Sequence, residues 1–366
     1  MSSVDLIDSI DKKILNVRTN SLDFSFNELA DMYKEGELII APEFQRLFRW
    51  NHTLQSQFIE SVILELPIPP LFVVERQDRK YELIDGLQRM SSWLHFKGLL
   101  INQKTNKKDS PLKLINCDIV EDLNGLTFEE LPQSIKIKLK RSPIRVEIIG
   151  KDSSSRLKYD MFNRLNMNGL NLSPQEIRNS TIRLLEDGDK FMRYIIDLSE
   201  NQNFKNCIKS VQENEISRKY NHELVLRFLA LKNKLTSHRG NMADFMTEFA
   251  EQVSELKFIL DYDKNRHDFD KTFLLLDKIM GKEAFVMKRE VQYRVGLFDA
   301  FSIGLQPYLE NINDENIEII RKVFSKLKNE WSSGKSLNKS NGGTIPKKLK
   351  DRIQYVSTSI SKAISR

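Results

Sequence analysis

LFVVERQDRKYELIDGLQRMSSWLHFKG, residues 71–98, is the stretch from which the fold can be read. Leu71–Val74 and Tyr81–Ile84 are short runs rich in β-formers, separated by the charged turn Arg76–Lys80, and this pattern predicts a hairpin. The second strand leads straight into Asp85-Gly86-Leu87-Gln88-Arg89, after which Met90, Trp93, Leu94 and Phe96 predict a helix ending at Gly98. A strand, a glycine turn and a helix start in immediate succession bring backbone amides and a guanidinium together, which suits a phosphate. An ordinary Asp-Gly turn would explain the glycine as well.

Upstream, Ser25 reads as an N-cap, Glu28 completes a capping box, Phe24 staples onto Leu29, and Gly36 ends the helix. Leu38–Ile40 is a short strand broken by Pro42, and PEFQRLFRW follows at 42–50. Leu54, Phe58, Ile59, Val62, Ile63 and Leu66 lie on one helical face that Pro67 stops. Downstream, residues 102–111 read as an exposed polar loop, Leu112–Ile115 and Ile144–Ile149 as strands, and 128–140 as the helix between them. Beyond residue 150 the periodicity is helical, at 154–166, 174–186, 189–199, 217–234, 241–260, 272–280, 288–309 and 314–331. The expectation is an α+β protein, with an N-terminal α/β domain at 1–150 and an all-helical domain at 151–366. Residues 332–350 are expected to form a flexible basic loop before a last helix.

A chain of 366 residues exceeds the usual size of one core, which agrees with two domains. Lys and Arg number 57 against 51 Asp and Glu, and the formal charge of +6 favours a polyanionic partner only mildly. Two distant cysteines, Cys117 and Cys207, suggest neither a disulfide framework nor a zinc site. The polar N-terminus and the lack of a long apolar run lead us to expect a soluble, cytoplasmic protein without membrane contact.

Three stretches can carry chemistry. In Asp85–Arg89 the arginine offers a fork of donors, the glycine admits close approach, and the aspartate can hold Mg²⁺ or orient a water. In 42–50, Phe44, Phe48 and Trp50 read as core anchors and Arg49 as a surface ion-pair residue, while Gln45-Arg46 repeats the Gln-Arg pair of Gln88-Arg89 at a second strand-to-helix transition. Two such pairs would grip a triphosphate from two sides. The third stretch, FNRLNMNG at 162–169 with SPQEIRN at 173–179, has a capped helix end and a helix start marked by Ser173, Pro174 and Glu176. Asn163, Arg164, Asn166, Glu176, Arg178 and Asn179 make that junction unusually polar.

The order P-x-F-Q-R-x-x-x-W, a helix ending in PIPP, a hairpin into D-G-x-Q-R, and F-x-R-L-N-x-x-G-x-x-L-S-x-x-E-I-R-N resembles the DUF262 family over roughly residues 20–185. That family is the N-terminal domain of GmrSD-type, modification-dependent restriction systems, similar in fold to the ParB/sulfiredoxin superfamily. The resemblance implies nucleoside triphosphate binding and hydrolysis coupled to action on DNA in antiviral defence. Carried over, Asp85, Gly86, Gln88 and Arg89 match the loop, Gln45 and Arg46 the upstream QR, and Asn166 with Arg178 the later polar motif. Two departures stand out. Leu87 occupies a position where Gln is usual, which puts turnover in question, and none of the five histidines, His52, His95, His222, His238 and His267, sits in an HNH-type nuclease setting.

The leading expectation is an NTP-binding, NTP-hydrolysing component of a DNA-directed system. Asp85, Gln88 and Arg89 would be catalytic. Gln45, Arg46, Gly86, Arg89, Asn166 and Arg178 would contact the nucleotide, and Asp85 would hold Mg²⁺. The expected partners are DNA, a separate nuclease or effector chain, and further copies of this chain. The competing expectation is a non-enzymatic DNA-binding or regulatory module in which the loop clamps a DNA phosphate, supported by Lys138, Lys140, Arg141, Lys347 and Lys348. Cleavage of DNA by this domain itself is the third reading; the nearby carboxylates show no metal-pair spacing.

Overall fold

The computed structural model describes residues 19–40, 48–102, 107–153, 160–161, 164–165, 173–287, 293–332 and 345–365. The chain divides into two compact units, residues 1–170 and 171–366.

The first unit runs β1 (Thr19–Ser25), α1 (Phe26–Glu35), β2 (Leu38–Ile39), α2 (His52–Ile63), β3 (Leu71–Glu75), β4 (Tyr81–Asp85), α3 (Leu87–Phe96), a small hairpin of β5 (Ile101–Asn102) and β6 (Lys107–Lys108), α4 (Gln133–Arg141) and β7 (Pro143–Ile149). Its five-stranded sheet has the order β1-β7-β3-β4-β2 and is mixed: β1 and β7 pair antiparallel, as do β3 and β4, while β3–β7 and β2–β4 are parallel. The unit is α+β, as the alternating pattern predicts. Its core is aromatic. Trp93 lies against Phe26 with ring centroids 5.1 Å apart and against Phe128 at 6.2 Å, and Phe96 meets Phe128 edge-on at 5.6 Å. Because Met90, Trp93, Leu94 and Phe96 are all fully buried, the core fixes α3 and with it the loop that starts it.

Local signals give α1 correctly: the Ser25 hydroxyl accepts from the Glu28 amide, and Gly36 closes the helix at a φ of 73°. Three expectations fail. No strand was expected at β1, whose sequence TNSLDFS is largely exposed, yet it pairs with β7 from Thr19–Ile149 to Ser25–Pro143. Leu112–Ile115 is irregular instead of a strand. Leu112 and Leu114 are buried, but Leu114 pairs only with Leu126 and Gly125 in a local loop closure and finds no strand beside it. The helix expected at 128–140 is a capped 3-10 turn at Phe128–Glu130, then α4, because Pro132 removes a donor between them.

The second unit is helical: α5 (Pro174–Thr181), α6 (Gly188–Ser199), α7 (Gln202–Cys207), α8 (Glu213–Ser217), α9 (Tyr220–Lys234), α10 (Met242–Ser254), α11 (Tyr262–Met280), α12 (Val295–Gly304), α13 (Ile317–Ser332) and α14 (Ile345–Ile364). Phe204, Phe228, Phe269, Phe273 and Phe298 form its centre. Arg227 on α9 and Asp299 on α12 form a two-point ion pair, 2.6 Å between Nη2 and Oδ2. Gly304 lets α14 approach α12, since a Cβ there would stand 2.7 Å from Val356 Cγ1. The expected basic loop to residue 350 is corrected at its end: α14 begins at Ile345, so Lys347 and Lys348 lie in its first turn, and 333–344 fall outside the described residues. Among the described residues no helix is long and apolar enough to cross a membrane. Both cysteines are free and buried, and burial pushes the Cys117 thiol up to about 11.

Candidate functional site

The site grows out of the hairpin. Phe72 faces Asp85 while Val73 faces Leu83, so Ile84 is an extra residue that bulges β4 just before the loop. A bulge bends its strand and re-aims the next side chain, and here it allows Leu83 and Ile84 to be buried in succession. Gly86 follows at a φ of 94° and starts α3, with no side chain capping the helix. A Cβ at Gly86 would lie 2.1 Å from Leu71 Cδ2, so steric space and backbone angle both call for glycine.

One turn into α3, Arg89 Nη2 donates to the Pro70 carbonyl and to Asp85 Oδ2, each at 3.0 Å. Arg89 Nε is buried and has no partner. The side chains of Asp85 and Arg89 are 30% and 16% exposed, so a solute can reach the pair. The result is an uncapped helix start, a carboxylate and a guanidinium with an unsatisfied donor, on one rigid element. Leu87, at the departing loop position, is 2% exposed and belongs to the core.

Gln88 faces elsewhere. Its Oε1 accepts from the backbone amides of Arg49 (3.0 Å) and Trp50 (3.1 Å). The Trp50 carbonyl accepts from Gln55 Nε2 at 2.7 Å, Gln55 Oε1 meets His95 Nδ1 at 2.7 Å, and His95 Nε2 lies 2.9 Å from the Ser110 carbonyl. Burial holds the His95 pKa below the ordinary histidine value, with the Ser110 carbonyl opposing and His52 adding to the shift. A buried carboxylate, Glu60, accepts from the amides of Ile119 and Val120 at 3.1 and 2.7 Å. Gln55 and Glu60 interrupt the apolar face of α2, and that interruption is the sequence signal by which this tier could have been found.

Asp85, Gly86, Gln88 and Arg89 share one turn. Gln45, Arg46 and Asn166 lie outside the described residues. Arg178 belongs to the second unit, is 4% exposed, and spends its guanidinium on Thr247 Oγ1 (2.9 Å), Gln175 Oε1 (2.8 Å), Glu223 Oε2 (3.4 Å) and the Ala243 carbonyl (3.2 Å). Lys138 bridges to Glu65 at 3.1 Å beside a half-open cavity of about 430 Å³ between α2 and α4, while Lys140 and Arg141 are exposed at the end of α4. Lys347 is exposed and Lys348 half-buried. His238 is buried with neither ring nitrogen bonded, and Asn241 caps α10. Among the described residues no three His, Cys, Asp or Glu side chains converge as metal ligands.

Residues 26–183 match the family described as the GmrSD restriction endonuclease, N-terminal domain. No curated protein and no solved structure matches the chain.

Proposed function

We propose, from the premise that residues 26–183 are a GmrSD-type (DUF262) N-terminal domain, that this chain is a nucleotide-dependent component of a DNA-directed restriction system. The observation that carries the reading is Arg89, a guanidinium one turn from an uncapped helix start, half committed to Asp85 and Pro70 and left with a buried unsatisfied Nε. Orphaned buried donors are costly unless a partner arrives. A phosphate supplies acceptors in the geometry a guanidinium fits, and the helix start adds a favourable dipole.

In this reading Arg89 neutralises phosphate charge and Asp85 meets Mg²⁺ carried in with a nucleoside triphosphate. A single carboxylate suffices there, because Mg²⁺ in such sites is held mainly by phosphates and water. Asp85 also stands where it can orient an attacking water. With Leu87 in the core, the loop offers no further polar group at that position, so binding is expected to be robust and turnover slow. If DNA is cut, we assign the cutting to another chain or to a carboxylate site without a recognisable nuclease motif, and the kinship with ParB/sulfiredoxin folds belongs to the same proposal. The exposed Lys140 and Arg141 support the competing use of this unit as a DNA-backbone clamp.

Thermal unfolding with ATP, GTP, CTP or UTP and Mg²⁺ separates the two. A ligand at 100 times its Kd stabilises by about 2.7 kcal/mol, and Arg89→Ala should remove that gain. Absence of any nucleotide shift, together with DNA binding that weakens steeply with salt, would establish the clamp instead.

A further inference from the structure

We propose that the hairpin of α13 and α14 is half of an intermolecular four-helix bundle, completed by the same hairpin of a second copy of this chain.

Each of these helices has one face spent on its own unit. Ile320 and Phe324 of α13 and Ile353, Val356 and Ile360 of α14 are buried, and Phe324 stacks on Phe301 of α12 at 4.5 Å. One such stripe is what a surface helix needs, yet α13 carries a second. Ile319, Val323 and Leu327 recur every fourth residue along a half-open groove of about 930 Å³ between the two helices, where α14 contributes Tyr355, Ser359 and Ala363. Ile319 is 46% exposed and Tyr355 36%. The end of α13 meets the first half of α14: the Tyr355 hydroxyl donates to Glu330 Oε2 at 2.8 Å, and the Arg352 guanidinium lies 5.1 Å from the centre of the Trp331 ring. A single groove lined over 319–330 and 351–363 then requires the helices to run antiparallel.

The charges along the groove say what covers it. Lys322 and Lys362 stand towards one end, and Asp351 stands at the other beside Glu330. Lys322, Lys362 and Asp351 are exposed, and none of the three has an ion-pair partner among the described residues. Asp351 and Lys362 are separated by about 16 Å of helix. A two-fold axis across the middle of the groove, perpendicular to the helices, lays α13 on α13 and α14 on α14 in antiparallel sense. Each basic end then falls on the acidic end of the other copy, with Lys362 against the partner's Asp351. The rows of Ile319, Val323 and Leu327 from the two copies meet, and the small Ser359 and Ala363 let the two α14 helices come close. A patch that complements itself in this way is the isologous interface of a two-fold dimer, and the arrangement is that of a four-helix bundle. A uniformly acidic or basic helix of another protein would match one end of the groove and be repelled at the other. The face is about 17 Å long and two helices, about 20 Å, wide. That is the small end of specific interfaces, so association belongs to micromolar concentrations.

Sedimentation velocity of the full chain at low salt tests the proposal, with circular dichroism checking that each variant keeps its helical content. The wild type should pass from monomer to dimer across micromolar concentrations. Asp351→Lys and Lys362→Asp each set like charges opposite one another twice, and each should weaken association about tenfold or more. An equal mixture of these two variants should dimerise as the wild type does, because every charge then meets its opposite. Ile319→Glu, at an exposed position, should abolish the dimer. A wild type that stays monomeric throughout overturns the proposal. So does a dimer that both charge reversals leave unchanged, since it would use another face, and so do reversed variants that remain apart when mixed. No nucleotide is added, so the result stands whatever the Asp85–Arg89 loop binds.

Discussion

Two helix starts in this protein look alike in sequence and differ in what they leave open. At α5, Ser173 and Glu176 form a reciprocal capping box, Pro174 occupies the first turn, and the Arg178 guanidinium four residues on is bonded to Thr247, Gln175, Glu223 and the Ala243 carbonyl. At α3, Gly86 brings no cap, and Arg89 has a buried donor without a partner. A helix start that the chain caps for itself has used its amides. One opened by a glycine keeps them for something else. Arginine at the start of a helix is thus no signal alone, and the residue before the helix decides whether it is structural.

The largest effect that tests this contrast is at Arg178. Arg178→Ala strands Glu223, Gln175 and the Ala243 carbonyl, and it should destabilise the second unit by on the order of 3 kcal/mol, with the nucleotide-induced shift in unfolding retained. Arg89→Ala should reverse the pattern. It removes an unsatisfied donor along with a partly buried ion pair and the bond to the Pro70 carbonyl, so stability without ligand should fall by about 1 kcal/mol, well short of the loss at Arg178, while a nucleotide shift of about 2.7 kcal/mol disappears. If Arg178→Ala instead abolished the shift in a folded protein, the contrast would be wrong and the two helix starts would be parts of one site.

Gly86→Ala comes next. The residue would need a φ of 94° and would press on Leu71, a cost of about 1–3 kcal/mol. Because the strain is local, unfolding should fall by that amount and nucleotide affinity with it; denaturant titration with and without ligand measures both. Gly36→Ala is the control, since Gly36 also has a positive φ but nothing near its Cβ, and it should cost stability without touching affinity.

The same contrast explains how much was legible. The cap of α1, the hairpin, the loop and the capping box of α5 are encoded within a few residues of each other, so sequence chemistry finds them. β1 is polar and mostly exposed, and its existence is decided by β7, more than a hundred residues away. Leu112 and Leu114 carry the right alternation for a strand, but a strand requires a neighbour, which no local pattern can promise. Gln88 follows the same rule. Its residue type suggested a catalytic or phosphate-binding role, and only the placement of Arg49 and Trp50 reveals what its oxygen accepts. Arg178 was picked out by motif order, which is blind to the helices that enclose it. Gln45, Arg46 and Asn166 lie outside the described residues.

The smallest effect concerns pH and the tier of buried polar groups behind Gln88. The His95 ring stands between two oxygens, Gln55 Oε1 and the Ser110 carbonyl, and a neutral imidazole can donate to only one of them. Protonation would complete both bonds. Burial opposes it and wins, with His52 nearby adding like charge, so the folded pKa lies below the unfolded value of about 6.5. The unfolded chain therefore takes up the proton first, and stability from this site is full above about pH 6.5 and declines as pH falls through that value toward the lower folded one. His95→Gln should flatten the slope of unfolding free energy between pH 7 and about 5.5, a window above the carboxylate range. His238 supplies the comparison in the second unit, for its pKa is also lowered by burial and by Lys350 and Arg227, yet neither of its ring nitrogens has an acceptor. Protonation there gains no bond at all, so His238→Phe should remove more pH dependence than His95→Gln. A larger change at His95 would mean that its two oxygens hold the ring less well than their distances imply.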